Sequence, residues 1–140
     1  MVLHPAPSFA LAVGFGCRRG CPGEHLAALL EGALLANNLQ ARPIAALASL
    51  DRKADEPGLL QLAGQLGCDV HVYSAQQLQG YTTRLSHRSA RVYALTGCYG
   101  VAESAALALA EHLGGGNSAQ LLVTRQTSDL ASVAIAVLAS

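Results

Sequence analysis

The chain has 140 residues, of which 51% are apolar, so it is long enough for one domain with a real core and too short for a second one. Its formal net charge is zero, its nine Lys and Arg residues are spread along the sequence, and it has no Trp. These features argue against nucleic-acid binding, which needs a basic surface and often aromatic rings for base stacking. A zero net charge also permits self-association into a homo-oligomer.

The amino terminus lacks the features of a targeting segment. Residues 1–8 carry no Lys or Arg and are predicted to form a tail, and the apolar run from Phe9 to Val13 is too short for a signal peptide or a membrane span. We therefore expect a cytoplasmic protein with a single domain at 9–140 and no membrane association. Its four cysteines are expected to be reduced.

Strands and helices alternate in the first half of the chain. Short apolar runs that end in turn residues are typical of buried strands, and Leu or Ala at every third or fourth position is typical of helices. These patterns predict strands at 9–17, 43–50 and 69–74, and helices at 24–37, 57–66 and 75–78. Pro57 suits the first position of a helix, and Ser74 is a good cap for the short one.

The second half completes an α/β pattern. It predicts a loop at 79–89, a strand at 91–96, an Ala-rich helix at 101–113, and β-rich runs at 120–126 and 132–138. The order β-α-β-α-β-(short α)-β-α-β-β predicts a three-layer α/β/α sandwich with a mixed, largely parallel sheet and an antiparallel C-terminal hairpin. Ligands of such sheets bind beyond the carboxyl ends of the strands. We therefore expect the loops at 16–23, 51–56 and 97–100 to lie together.

A glycine-rich segment, Gly14–Gly23, links the first strand to the first helix. It is not a dinucleotide-binding motif, because the third glycine of that motif would fall at Arg19. Arg18 and Arg19 beside free backbone amides are suited to binding carboxylates. The alternative is that the glycines serve only turn geometry while the arginines cover the surface.

A metal site is one interpretation of Cys17, Cys21 and His25, which are spaced four residues apart. Pro22 and Gly23 interrupt the segment, and no second Cys or His cluster completes a tetrahedral site. The thiols are better explained as small buried groups at a strand end. We therefore predict no metal and no cofactor.

Candidate acid/base groups are Asp51, Asp55 and Glu56, which surround Lys53, and Glu103 in the first turn of the Ala-rich helix. A solvated loop with an acidic helix start is the alternative for the first three. For Glu103 the alternative is a favourable interaction with the helix dipole. The catalytic residues, if there are any, stay unknown at this point.

Four segments together resemble one known family. They are Gly14–Gly20, Leu50–Leu59, Thr96–Glu103 and the Leu-Val stretch that ends at Gln126. In this order, each at a predicted strand or helix junction, they resemble the CobE / CbiG C-terminal family of cobalamin biosynthesis, over nearly the whole chain.

The resemblance implies an anionic corrin or precorrin ligand. The larger CbiG protein opens a δ-lactone on a cobalt-precorrin and releases acetaldehyde, whereas this chain corresponds to its C-terminal portion alone and looks more like a stand-alone CobE of the aerobic pathway. A corrin precursor carries acetates and propionates around an apolar ring, so its receptor needs cations and backbone amides at the rim. The residues expected to bind it are Gly16, Cys17, Arg18, Arg19, Gly20, Lys53, Gly97 and Gly100.

Three functions are left open. The first is an accessory or carrier protein that binds a corrin intermediate. The second is a hydrolase, or part of a split hydrolase, that opens the ring lactone of a precorrin-5-like intermediate. The third is an assembly partner for other enzymes of the cobalamin pathway.

Overall fold

The computed structural model describes residues 10–81, 100–114 and 119–138. Their strands are β1 (Leu11–Cys17), β2 (Ile44–Leu50), β3 (Val70–Tyr73), β4 (Ala119–Thr127) and β5 (Ala131–Leu138). Their helices are α1 (Gly23–Ala36), α2 (Pro57–Leu66), α3 (Ala75–Gln79) and α4 (Val101–Leu113), with a 3-10 turn at Asp51–Lys53. The strand predicted at 91–96 lies outside the described residues.

The five described strands form one sheet in the order β3-β2-β1-β5-β4. β1 pairs in parallel with β2, and β2 in parallel with β3, whereas β5 is antiparallel to both of its neighbours. β4 therefore runs parallel to β1, with β5 reversed between them. The predicted mixed, largely parallel α/β sheet with an antiparallel C-terminal hairpin is confirmed.

The side chains of β1 point alternately into two apolar layers, one on each face of the sheet. Leu11, Val13 and Phe15 pack on the face covered by α1 and α2, because successive side chains of a strand point to opposite faces. Ala12 packs on the other face, which α4 covers. The predicted three-layer arrangement follows from this division.

Helix α4 lies unusually close to the sheet. All ten residues from Val101 to Ala110 are buried, and five of them are alanines. A Cβ on Gly14 would overlap the backbone carbonyl of Ala102 and would lie 2.6 Å from the backbone nitrogen of Ala106. Small residues on both surfaces thus let the helix backbone pack directly on β1.

Local signals explain the ends of the shorter helices. Pro57 occupies the first turn of α2, and Gly67 ends that helix with a positive φ of 71°. Ser74 and Gln77 form a capping box at α3, as predicted for Ser74. Within the described ranges, no helix is both long enough and apolar enough to cross a membrane.

Candidate functional site

A cavity of about 350 Å³ opens at the carboxyl edge of the sheet. β1, β2 and β4 all end at this edge because they run in the same direction. The lining residues are Gly16, Cys17, Arg18, Ser49, Leu50, Lys53, Gly100, Val101, Arg125, Thr127, Ser128, Asp129, Leu130, Ala131 and Ser132. The fold therefore gathers the ends of three strands and the start of α4 around one space.

Five of the residues expected to bind ligand line this cavity. They are Gly16, Cys17, Arg18, Lys53 and Gly100. The loops after β1 and β2 and the start of α4 thus meet, as the strand order predicts. Gly97 lies outside the described residues.

The other candidates are not among the lining residues. Arg19 and Gly20 are exposed in the loop after β1, and Asp51 and Asp55 are exposed in the loop after β2. Their roles in binding or catalysis stay predictions.

Glu56 is buried and joins the two loops. Its Oε2 accepts a hydrogen bond of 3.0 Å from the backbone nitrogen of Gly20, and its Oε1 lies 3.8 Å from the Nζ of Lys53. A buried carboxylate needs such partners, since desolvation without them is costly. In this position, Glu56 holds the loop that carries Arg18 next to Lys53, in the 3-10 turn after β2.

Glu103 is buried inside α4, with an exposed fraction of 1%. Its Oε2 accepts a hydrogen bond of 2.6 Å from the backbone nitrogen of Arg125. Neither Glu103 nor Glu56 lines the cavity. Both carboxylates hold backbone segments, and their proposed acid/base roles are untested.

Cys17 faces the cavity as a neutral thiol. Burial raises its pKa from 9.0 to about 11, and the neighbouring Glu56 and Cys21 act in the same direction, whereas Lys53 lowers the pKa. Because the thiolate is the reactive form, this environment does not favour a cysteine nucleophile at neutral pH.

The turn between β4 and β5 forms a wall of the cavity that the sequence did not point to. The turn contributes Ser128 and Asp129, and the end of β4 beside it contributes Arg125 and Thr127. The available signals were the predicted hairpin and the Leu-Val stretch ending at Gln126. These signals do not indicate that β4 runs parallel to β1. That direction places the turn at the carboxyl edge of the sheet.

Ser128 fixes the shape of this turn. Its Oγ accepts hydrogen bonds from the backbone nitrogens of Leu130 and Ala131, at 3.3 and 3.2 Å. The Nε2 of His25, in the first turn of α1, lies 2.7 Å from the same oxygen. His25 therefore ties α1 to the hairpin.

Metal ligands are not gathered here. The described segments contain no group of three or more His, Cys, Asp or Glu residues arranged to hold a metal ion. The predicted absence of a metal stays a prediction.

The charges around the cavity favour an anion. Arg18, Lys53 and Arg125 line it, opposed by one acid, Asp129. Within residues 10–81, 100–114 and 119–138, the side chains of Arg18 and Arg125 make no hydrogen bond or ion pair with another described residue. Their guanidinium groups are thus available to a ligand.

The start of α4 adds a further positive element. Gly100 precedes the helix with a φ of 53°, a conformation that glycine adopts without strain, and no side chain caps the helix there. The first backbone N–H groups of a helix have no partner inside the helix and attract anions. Leu50, Val101 and Leu130 supply an apolar part of the lining.

Comparisons with known proteins show the family of the chain. Residues 11–137 match the family described as Cobalamin synthesis G C-terminus. Protein CobE of Sinorhizobium sp. is 38% identical over 126 residues, which are 90% of this chain and 79% of that protein. A cobalt-precorrin-5A hydrolase of Priestia megaterium is 34% identical over 97 residues, which are 69% of this chain but 25% of the hydrolase.

A solved structure has the same fold. The crystal structure of CobE, a protein from the cobalamin (vitamin B12) biosynthetic pathway, matches with a TM-score of 0.86 and 48% identity, covering 98% of this chain and 95% of that one. With the family match spanning nearly the whole sequence, the chain belongs to the CobE / CbiG C-terminal family of cobalamin biosynthesis proteins.

Proposed function

We propose that this protein binds an anionic corrin precursor at the carboxyl edge of its sheet and acts as an accessory or carrier protein in cobalamin biosynthesis. The observation that carries the proposal is the cavity itself, which is lined by Arg18, Lys53 and Arg125 together with apolar residues. Similarity to CobE supports the same pathway.

The chemistry of the cavity suits the periphery of a corrin. Acetates and propionates on the ring would pair with guanidinium groups, which bind carboxylates through two parallel hydrogen bonds. The apolar lining would contact the ring edge. The volume of about 350 Å³ lies at the lower end of the range for small-molecule sites, so we expect one edge of the macrocycle to enter.

Hydrolysis of a ring lactone is the second candidate, and the similarity to cobalt-precorrin-5A hydrolase supports it. The chain spans only a quarter of that enzyme. The acids proposed as acid/base groups, Asp51, Asp55, Glu56 and Glu103, do not line the cavity, whereas Asp129 does. Binding therefore has the stronger support.

The test is to incubate the purified protein with successive corrin-ring intermediates and to separate bound from free pigment by gel filtration. Coelution of one intermediate with an unchanged spectrum is expected for a carrier. Steady release of acetaldehyde by the isolated chain would establish hydrolysis instead. Failure of every intermediate to coelute, with capture of a pathway enzyme, would favour an assembly role.

Two adjacent arginines provide a matched control. Arg18 lines the cavity and Arg19 does not, although both are exposed and carry the same charge. Arg18→Ala is expected to weaken binding roughly ten- to a hundredfold, the value of one charge-assisted contact, and Arg19→Ala far less. Equal effects of the two changes would mean that overall charge, rather than this cavity, attracts the ligand.

A further inference from the structure

The strand β4 is irregular where it reaches the cavity. Val123 pairs with Ile135 and Gln126 pairs with Val133, so two residues of β4 lie opposite one residue of β5. The two are Thr124 and Arg125. An extra residue of this kind is a β-bulge, which bends the strand and changes the direction of its side chains.

The backbone N–H freed by this bulge has a specific acceptor. Glu103, from the first turn of α4, accepts the hydrogen bond from the nitrogen of Arg125 at 2.6 Å. Its side chain is almost fully buried, and hydrogen bonds to charged groups are stronger than those between neutral groups. Glu103 thus fixes the backbone of Arg125 against the helix that borders the cavity.

Arg125 is the third cation that lines the cavity at the carboxyl edge of the sheet, with Arg18 and Lys53. Arg18 follows β1, whereas Arg125 belongs to β4, and β5 lies between these strands. Adjacent strands are about 4.8 Å apart, so the two arginines arise from positions separated by roughly 10 Å. A ligand with two carboxylates on separate sides can therefore be contacted by both arginines at the same time.

We propose that Arg125 is a carboxylate-binding residue at the far end of the cavity from Arg18, and that Glu103 is the positioning residue that sets its backbone. The ligand class is then a rigid molecule with carboxylates on separate sides, which both arginines contact together. This inference rests on the proposed function and assigns Glu103 a role other than acid/base catalysis.

The probe for this inference is cobyrinic acid, a corrin whose side chains end in carboxylates, and its control is cobinamide, in which they are amides. Both absorb visible light, so binding can be followed by spectral titration and by sedimentation. Arg125→Ala is expected to weaken cobyrinic acid binding roughly ten- to a hundredfold. Cobinamide should bind weakly to every variant.

Arg42→Ala is the matched control, because it removes the same charge from the loop before β2, at the opposite edge of the sheet. It should leave the affinity for cobyrinic acid nearly unchanged. Glu103 is tested in a double-mutant cycle. Glu103→Ala should weaken binding when Arg125 is present and have little further effect in the Arg125→Ala protein. Glu103→Gln, whose amide oxygen still accepts a hydrogen bond, should restore much of the loss.

The outcomes separate the two proposals. Failure of the unaltered protein to bind any corrin intermediate would refute the proposed function and this inference with it, whereas failure to bind cobyrinic acid alone would refute this inference. Binding that Arg125→Ala weakens no more than Arg42→Ala would refute the inference alone. An effect of Glu103→Ala that adds fully to that of Arg125→Ala would refute the positioning role. If Glu103→Ala fails to fold, Glu103→Gln takes its place in the cycle, and a loss of binding by Glu103→Gln that is as large without Arg125 as with it would refute the positioning role.

Discussion

Replacing Gly14 by Ala tests the close packing of α4 on the sheet. The added methyl group would overlap the carbonyl oxygen of Ala102 and lie 2.6 Å from the nitrogen of Ala106, where ordinary contacts begin at 3.4 Å. Both obstacles are backbone atoms of one helix, so no side-chain rotation can relieve the overlap. Helix α4 itself therefore has to move away from β1, by about 1 Å.

The cost of this change follows from the size of the overlap. Overpacking a well-packed core usually costs about 1–3 kcal/mol, and we expect a value near the upper limit because the sheet and α4 must separate along a shared surface. For a chain of this size, that loss lowers the melting temperature by roughly 10 °C. Urea unfolding followed by circular dichroism measures the free energy directly.

The chain contains matched controls for the same chemical change. Gly32 and Gly64 lie in helices α1 and α2, and a Cβ at either position has no neighbour within 4 Å. Replacing either by Ala should stabilise the protein by about 0.5–1 kcal/mol, because Ala favours the helix. Should Gly14→Ala be as stable as Gly64→Ala, the direct packing of α4 on β1 would be wrong.

Three further predictions concern the loops near the cavity. Glu56→Ala should cost about 1–3 kcal/mol, because it removes the hydrogen bond between the buried Glu56 side chain and the Gly20 amide. Asp55→Ala should change stability by less than about 0.5 kcal/mol, and equal values in urea unfolding would contradict the bridging role. The raised pKa of Cys17 means that its contribution to stability is complete below pH 9.0 and is lost as the pH rises to about 11, so Cys17→Ser should show a smaller decline across that interval in pH-dependent melting. Elemental analysis should find no stoichiometric zinc, and one metal per chain that disappears in Cys21→Ser would overturn this.

Much of the fold follows from local patterns. The predicted bounds of α2 and α4 coincide with the observed helices, because Pro57, Gly67 and the Gly100 turn mark their ends clearly. The charged segment after β2 predicts a loop, and its first three residues, Asp51–Lys53, form a 3-10 turn. Strand order was not available from these signals, since periodicity reports which face is buried and not which strand is the neighbour.

The site was predictable where it depended on strand ends. Arg18 and Lys53 follow parallel strands, which predicts their position at the cavity; their role in binding stays a prediction. Arg125 was missed, because it lies within a strand whose alternation gives no reason to single it out. Only the reversed strand β5 and the bulge in β4 bring it to the cavity. Such long-range pairings leave no local mark on the sequence.

Two glutamates that chemistry alone marks as acid/base candidates share one structural role. Glu56 accepts the Gly20 amide and Glu103 accepts the Arg125 amide. Each buried carboxylate holds a segment that carries a lining cation, at Arg18 in the first case and at Arg125 in the second. Neither acid lines the cavity, so both order the backbone of segments that carry lining cations without placing a negative charge on the cavity wall. This arrangement suits recognition of a polyanion better than proton transfer to one.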